Sequence, residues 1–329
     1  MCWDLKNNKP CSTLISIGLI FFIIGVFKKL VLADNFSPLA DNIFDLYEKG
    51  IQVGFINSWV GAFAYSLQLY FDFSAYSDMA IGLGLIFGIK LPVNFNSPYK
   101  ATSIIDFWRR WHITLSHFLR DYVYFALGGN RKGTIRRYTN LLITMLLGGL
   151  WHGAGWGFIF WGGLHGFYLI INHFFINLGR LYPVLNIPSS LGKALTIFSV
   201  VIAWVFFRAD TFQAGFSMVN SMLFFDSYVS YQGISIIEVI SVAIGFIFVL
   251  YLPNTYQMFR YDEVLKGEGY SLNINFFDKA TILPSSILSA WLIILHIKVD
   301  KKYHTLLIIN DSLSAEAYRQ LKVALKVRR

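Results

Sequence analysis

The stretch "LLGGLWHGAGWG", Leu146 to Gly157, decides the fold class. It lies inside a run of 42 residues, 138–179, that contains no Asp, Glu, Lys or Arg. Such a run is long enough to cross a bilayer, since one transmembrane helix needs about 20 mostly apolar residues. Eight glycines between positions 148 and 166 interrupt it. Because non-helical backbone at membrane depth survives only where protein buries it or where it lines a water-filled cavity, the stretch predicts a helix break beside a cavity, with His152 in it.

The composition of the whole chain is that of a membrane protein. Of its 329 residues, 55% are hydrophobic and 14% are charged, and the mean hydropathy is +0.52. Soluble domains carry about 25% charged residues, so an ordinary soluble protein is excluded. The apolar stretches are long and do not alternate, which favours helices over barrel strands. We predict an all-α multipass protein with short, broken and re-entrant helices, and seven or eight passes at 14–32, 51–70, 74–91, 139–151 with 154–178, 193–208, 234–253 and 281–298.

Three segments make up the predicted domain organisation. Residues 1–13 form a short N-terminal segment, residues 14–298 a membrane-embedded domain, and residues 299–329 a basic cytoplasmic tail. Within the domain, residues 33–50 carry four acids and one Lys, so we expect a short surface helix there.

Positive charge is concentrated in one part of the chain. Residues 99–137 hold eight Lys or Arg and only two acids, Asp106 and Asp121. Cytoplasmic loops are enriched in Lys and Arg, so we place this segment on the cytoplasmic side. In a chain this apolar, the charge indicates contact with anionic lipid headgroups or with a phosphorylated donor, and not with nucleic acid.

Residues 104–122 have apolar side chains at the i, i+3, i+4, i+7 spacing of an amphipathic helix. At about 100° per residue, one polar stripe of that helix would hold Arg109, His112, Ser116 and Arg120. Arginine matches the geometry of phosphate groups. The stripe therefore indicates binding of a phosphate-bearing donor or, equally, contact with lipid phosphates.

His152 is the histidine that the sequence most strongly indicates as functional, because ionisable residues inside membrane segments are rare and mark functional paths. A neutral imidazole can act as a general base near pH 7; the alternative is a packed histidine bonded to a neighbouring carbonyl. His165 either shares the cavity or belongs to the core, and His117 and His173 are interpreted as structural. His112 and His117 are five residues apart and no HExxH motif occurs, so no metal site is predicted.

Two acids, Asp72 and Asp78, lie at the edge of or within apolar sequence and need partners there. One interpretation is capping or a salt bridge to the basic segment. The other is a place on a functional path through the membrane.

Three long stretches resemble the membrane-bound O-acyltransferase (MBOAT) family, in particular its alginate O-acetyltransferase-like branch, which also includes peptidoglycan and polysaccharide acetylation proteins. They are "QLYFDFSAYSDMAIGLGLIFGIKLPVNFNSPY", "SIIDFWRRWHITLSHFLRDYVYFALGGNRKG" and "NLLITMLLGGLWHGAGWGFIFWGGLHG". The shorter "WVFFRAD", Trp204 to Asp210, and "LPNTYQMF", Leu252 to Phe259, are also similar to this branch.

The resemblance implies a helical enzyme with a central tunnel, in which an acyl group, acetyl above all, moves from a cytoplasmic acetyl-CoA-like thioester to hydroxyls of an exported polysaccharide such as alginate. No bound cofactor is implied. The family histidine of "LWHG" matches His152, the expected general base, and that of "RRWH" matches His112, expected to help position the donor with nearby polar residues. The candidate donor-binding residues are Arg109, Arg110, Ser116 and Arg120, and the other tunnel candidates are Asp72, Asp78, Trp151 and His165.

The resemblance also implies a place for the protein in the cell. We expect a multipass protein of the bacterial inner membrane, in contact with the lipid bilayer, the glycan and a periplasmic or extracellular acetyl-transfer partner. We expect the chain to be shortened at its N-terminus, since relatives carry further helices before the part matching Gly18. Two alternatives stay open: a transporter or channel with a histidine-lined path, and an inactive fragment that acts as a scaffold for a partner acetyltransferase.

Overall fold

The computed structural model describes residues 12–182, 187–224, 233–259 and 261, and four short strands between 281 and 309. Helices occupy most of residues 12–258, which confirms the all-α prediction for this part of the chain. They are α1 Ser12–Phe27, α2 Asp34–Glu48, α3 Phe55–Ile86, α4 Ile104–Trp108, α5 Ile113–Phe118, α6 Gly133–His152, α7 Trp156–Leu181, α8 Ser189–Arg208, α9 Phe212–Leu223, α10 Ile236–Tyr251 and α11 Thr255–Met258. Two π-helical segments, Lys28–Ala33 and Leu119–Tyr124, and a 3-10 turn, Pro98–Lys100, join some of them.

Three helical stretches are long and apolar enough to cross a membrane by length and composition. They are Leu14–Glu48, Trp156–Leu181 and Ser189–Arg208, and Ile236–Tyr251 is a shorter apolar helix. The spans predicted at 14–32, 154–178 and 193–208 coincide with the three long stretches. Within the described ranges, the other predicted spans do not reach this length and hydropathy, so the expected seven or eight passes are not all matched.

One prediction about the N-terminal helices is wrong. The spans expected at 51–70 and 74–91, with a turn between them, are one continuous helix, α3. No glycine or proline occurs from 62 to 81, so nothing in the sequence ends the helix there. The surface helix expected at 33–50 is α2, whose apolar face is buried, with Ile43 and Phe44 almost fully covered.

Two compact units make up the chain, and the larger one comprises residues 24–78 and 92–258. In it, the end of α2 is tied to the turn between α8 and α9. Arg208 donates to Asp41 at 2.8 Å, and Glu48 accepts from the backbone of Asp210 and Thr211 at 2.8 and 3.1 Å. The core of this unit is dominated by aromatic and β-branched side chains, many of them from α8.

The smaller unit comprises residues 1–23, 79–91 and 259–329. Gly18 and Gly82 allow two helical segments to approach closely there, because a Cβ on either residue would lie 2.5 Å from the carbonyl oxygen of the other. The hydroxyl of Tyr261 donates to the carbonyl oxygen of Leu91 at 2.9 Å.

Strands replace the last predicted span, 281–298, which is therefore wrong. β1 Thr281–Ile282 and β2 Ile287–Leu288 pair antiparallel with β3 Leu292–Val299, and β3 pairs with β4 Lys302–Ile309. Isoleucine and valine favour strands, and the matching run after Val299 gives β3 a partner across a two-residue connection. The predicted tail 299–329 thus begins in a hairpin, and the remainder of it lies outside the described residues.

Candidate active site

His152 is the last residue of α6, where the helix ends at the glycine-rich break. Gly153 has an extended backbone, and α7 begins three residues later at Trp156. The half-buried imidazole lies among aromatic rings, with centroids 5.0 Å from Trp151, 5.2 Å from Trp161 and 5.1 Å from Phe207. In the described part of the chain neither ring nitrogen has a hydrogen-bond partner, so the bond to a neighbouring carbonyl that a packed histidine would make is not observed.

The single amphipathic helix predicted over 104–122 is wrong, because the chain breaks at His112. This residue adopts a left-handed backbone conformation, φ 41°, between α4 and α5. Asn94 accepts hydrogen bonds from backbone N–H groups that would bond to the preceding turn in a continuous helix. Its carbonyl accepts from Ile113 N at 3.0 Å, and its side chain accepts from Thr114 N and Oγ1 at 3.2 and 2.7 Å.

This break directs the His112 ring into the aromatic cluster that contains His152. The centroid of His112 is 4.8 Å from that of Phe73 and 6.3 Å from that of Trp151, so Trp151 lies against both histidines. Burial, and then the charge of His152, lower the pKa of His112 to about 4. His112 is therefore neutral at pH 7, and the structure brings together three predicted site residues.

His165 lies deeper, on α7, and is fully buried. The chain before His112 runs beside this helix, since Ile105 N donates to Asn172 Oδ1 and Trp108 Nε1 donates to His165 Nδ1, both at 3.2 Å. Trp161 lies between the two histidines, with its ring centroid 5.0 Å from that of His165. His165 thus belongs to the same cluster as His152, one ring further in.

The predicted polar stripe does not form, because its residues lie on separate elements. Arg110 pairs with Asp106 at 2.8 Å, and Arg120 pairs with the adjacent Asp121 at 2.7 Å. Ser116 donates to the carbonyl of Trp111 at 3.2 Å, and Arg109 is exposed. Donor binding by these residues stays a prediction.

The two membrane acids pair with the end of the first span and not with the basic segment. Asp78 is fully buried, accepts from Lys28 at 2.7 Å and also accepts from the Thr255 hydroxyl at 2.7 Å. Asp72 is half exposed and pairs with Lys29 at 2.9 Å. Both acids thus form salt bridges, as one interpretation predicted, but their partners are Lys28 and Lys29 and not residues of the basic segment.

Three residues of the cluster were not identified from the sequence. Asn94 lies within the proline-containing loop, between Pro92 and Pro98, where a turn residue is common, so no sequence signal marked its role in separating α4 from α5. Trp161 and Phe207 come from apolar runs whose aromatic residues read equally well as core. Only the spacing Trp161 to His165, one helical turn, could have placed both rings on one face.

Together, the long apolar helices and the half-buried His152 at the α6–α7 break are features of a membrane protein. The chain belongs to the MBOAT, membrane-bound O-acyltransferase family, whose sequence model matches residues 2–219. Residues 234–329 are similar to a second family, described as the membrane-bound toxin component of a toxin–antitoxin system.

Individual relatives agree with this membership. The peptidoglycan O-acetyltransferase of Helicobacter pylori is 49% identical over 219 residues, which is 66% of this chain and 41% of the relative. The probable alginate O-acetylase AlgI of Azotobacter vinelandii is 45% identical, over 64% of this chain and 41% of the relative. The teichoic acid D-alanyltransferase of Bacillus subtilis is 36% identical, over 44% of this chain and 37% of the relative. The match thus spans about two fifths of the length of these relatives.

Proposed function

We propose that the protein is an O-acyltransferase that moves an acetyl group from a cytoplasmic acetyl-CoA-like thioester to a hydroxyl of an exported cell-envelope polysaccharide. Family membership supports the reaction class. The names of the relatives, which refer to peptidoglycan and alginate acetylation, support acetyl as the group and a polysaccharide as the acceptor. The proposal includes a multipass position in the bacterial inner membrane and a partner protein that completes delivery outside it.

The observation that carries the proposal is that the ring nitrogens of His152, at the α6–α7 break, have no hydrogen-bond partner within the described residues. A general base must reach the proton that it removes, within about 3 Å. A nitrogen without a partner among the described residues is available to an acceptor hydroxyl. His112, neutral and also in contact with Trp151, is available to position the thioester or the acceptor.

Basic side chains near the far end of α7 support entry of the donor from that end. Arg137 donates to His173 Nδ1 at 2.6 Å, and the charge of Arg109 also acts on His173. His173 and Trp161 are twelve residues apart on one helix, or about 18 Å. The phosphates of a donor could bind the guanidinium groups while its long thioester arm lies along α7 toward His152.

Labelled acetyl transfer tests this function. In membranes that contain the chain and an acceptor polysaccharide, transfer from radiolabelled acetyl-CoA should fall at least about 100-fold in His152→Ala, as expected for loss of a general base. His117→Ala, a change at an exposed histidine, is the matched control and should keep wild-type transfer. Both variants should remain in the membrane fraction.

Two results would contradict the proposal. Transfer at the wild-type rate by His152→Ala would remove the assigned base. Solute or proton flux through proteoliposomes without any acyl donor, lost in His152→Ala, would assign the histidine path to a transporter.

A further inference from the structure

Two buried N–H groups, on Trp161 next to His152 and on His165 one ring further in, have no acceptor among the described residues. Within the described residues, Trp161 Nε1 and His165 Nε2 are buried polar atoms that lack a hydrogen-bond partner, as is Trp204 Nε1, whose ring centroid lies 5.8 Å from that of Trp161. The side chains of Trp161 and His165 are 1% and 0% exposed, and their ring centroids are 5.0 Å apart. Buried polar groups in native proteins are nearly always bonded, so an adjacent unbonded pair points to a ligand.

The hydrogen bond from Trp108 determines which ring nitrogen of His165 carries the proton. An indole N–H can only donate, so His165 Nδ1, which receives it at 3.2 Å, must be unprotonated. A neutral imidazole carries one N–H, and that hydrogen is therefore on Nε2. Both unbonded atoms are consequently donors, and the atom that satisfies them must be an acceptor with two lone pairs.

The position of the pair indicates which acceptor it receives. The Trp161 ring lies between the two histidines, with its centroid 5.2 Å from that of His152. Both donors are neutral, which suits an oxygen that is uncharged in the bound donor and gains negative charge during the reaction. Resting on the function proposed above, we propose that Trp161 Nε1–H and His165 Nε2–H receive the carbonyl oxygen of the acyl thioester and stabilise the oxyanion that forms from it.

The reaction then balances around these groups. The acceptor hydroxyl gives its proton to a His152 ring nitrogen as its oxygen bonds to the carbonyl carbon. The C=O electron pair moves to the carbonyl oxygen, which strengthens its bonds to the two N–H groups. When the C–S bond breaks, the C=O bond re-forms, and the leaving thiolate takes the proton from His152. The products are an ester and a thiol.

Kinetics of two variants test the proposal. Trp161→Phe keeps the aromatic packing and removes the N–H, and His165→Phe removes the second donor. Removal of one oxyanion donor should lower kcat about 100-fold, with the KM for acetyl-CoA changed less than about twofold. Trp59→Phe removes an identical N–H, one that donates to the Met222 carbonyl at 2.9 Å, and should leave kcat at the wild-type value.

An infrared measurement tests the contact without turnover. His152→Ala protein in detergent is loaded with acetyl-CoA labelled with ¹³C at the acetyl carbonyl. Two hydrogen bonds from a dry site should place the ¹³C=O band at a lower frequency than in water, and Trp161→Phe in the same background should move it back up. A band at or above the frequency in water, or no bound donor, would overturn the proposal.

The kinetic outcomes separate this inference from the proposed function. If His152→Ala loses transfer while Trp161→Phe and His165→Phe keep the wild-type kcat, only the donor pair is refuted. If His152→Ala itself keeps full activity, the proposed base fails.

Discussion

At the residue scale, the two central histidines share one aromatic cluster but have different backbone surroundings. His152 ends α6, so the unpaired carbonyl groups of the last helical turn lie beside it. Their partial negative charge stabilises a cation at this end of a helix, which is the state that a base reaches when it accepts a proton. His112 lies at a helix start in a strained left-handed conformation, where no such carbonyl charge is available. The arrangement supports proton transfer at His152 and positioning at His112.

The neutral state of His112 predicts a pH effect on stability. Burial, and then His152, lower its pKa from 6.5 to about 4, so between these values the unfolded chain binds more protons at this site than the folded one. The contribution of His112 to the free energy of unfolding is therefore fully present above about pH 6.5 and is lost as the pH falls toward 4. The melting temperature of the protein in detergent should fall more between pH 7 and 4.5 than that of His112→Gln.

The control for this comparison is His117→Gln, which changes an exposed histidine five residues away. Identical melting curves for wild type and His112→Gln across the whole pH range would show that His112 does not titrate in this window.

At the element scale, the α6–α7 pair depends on close contact between two backbones. A Cβ at Gly149 would overlap the carbonyl oxygen of Phe158, and one at Gly162 would overlap that of Met145. The glycines predicted to accompany a cavity thus have an observed packing role, since they let α6 and α7 meet immediately before the break. Small residues have this function wherever transmembrane helices approach closely. The position of His152 relative to Trp161 depends on the same contact.

Gly149→Ala should therefore destabilise the protein by about 1–3 kcal/mol, because the added methyl meets backbone that cannot move alone. Gly163→Ala is the matched control, since its Cβ would lie at an ordinary 3.6 Å from Leu146 Cδ2. Denaturant titration of detergent-solubilised protein measures both. Equal free energies of unfolding for the two variants would mean that the close approach contributes nothing.

At the scale of the whole molecule, the sequence indicated the membrane class, the three long apolar helices and the position of His152 correctly. It failed where a distant segment decides local structure. The apolar spacing over 104–122 fits one helix, but Asn94 breaks it from a loop ten or more residues upstream. The run 281–298 is apolar enough for a span, but the partner strand Lys302–Ile309 decides its pairing. Sequence periodicity also cannot show that the N–H groups of Trp161 and His165 lack partners among the described residues, because this depends on contacts in the folded chain.

A buried ion pair links distant parts of the larger unit and supports a last prediction. Asp78 is fully buried and is held by Lys28, fifty positions before it, and by Thr255 near the end of the described helices. Lys28→Met leaves the carboxylate buried without its cation, which should cost about 3–5 kcal/mol. Lys29→Met removes a cation that is 42% exposed and should cost about 0–1 kcal/mol.

The double variant Lys28→Met/Asp78→Asn decides whether the penalty comes from the unpaired charge. It removes both charges, so it should be more stable than Lys28→Met alone, because the buried carboxylate no longer needs a cation. Unfolding in detergent of the wild type, Lys28→Met, Asp78→Asn and the double variant gives the coupling energy. A coupling energy near zero, with Lys28→Met no less stable than Lys29→Met, would show that solvent reaches this pair and that it does not tie α3 to the end of the first span.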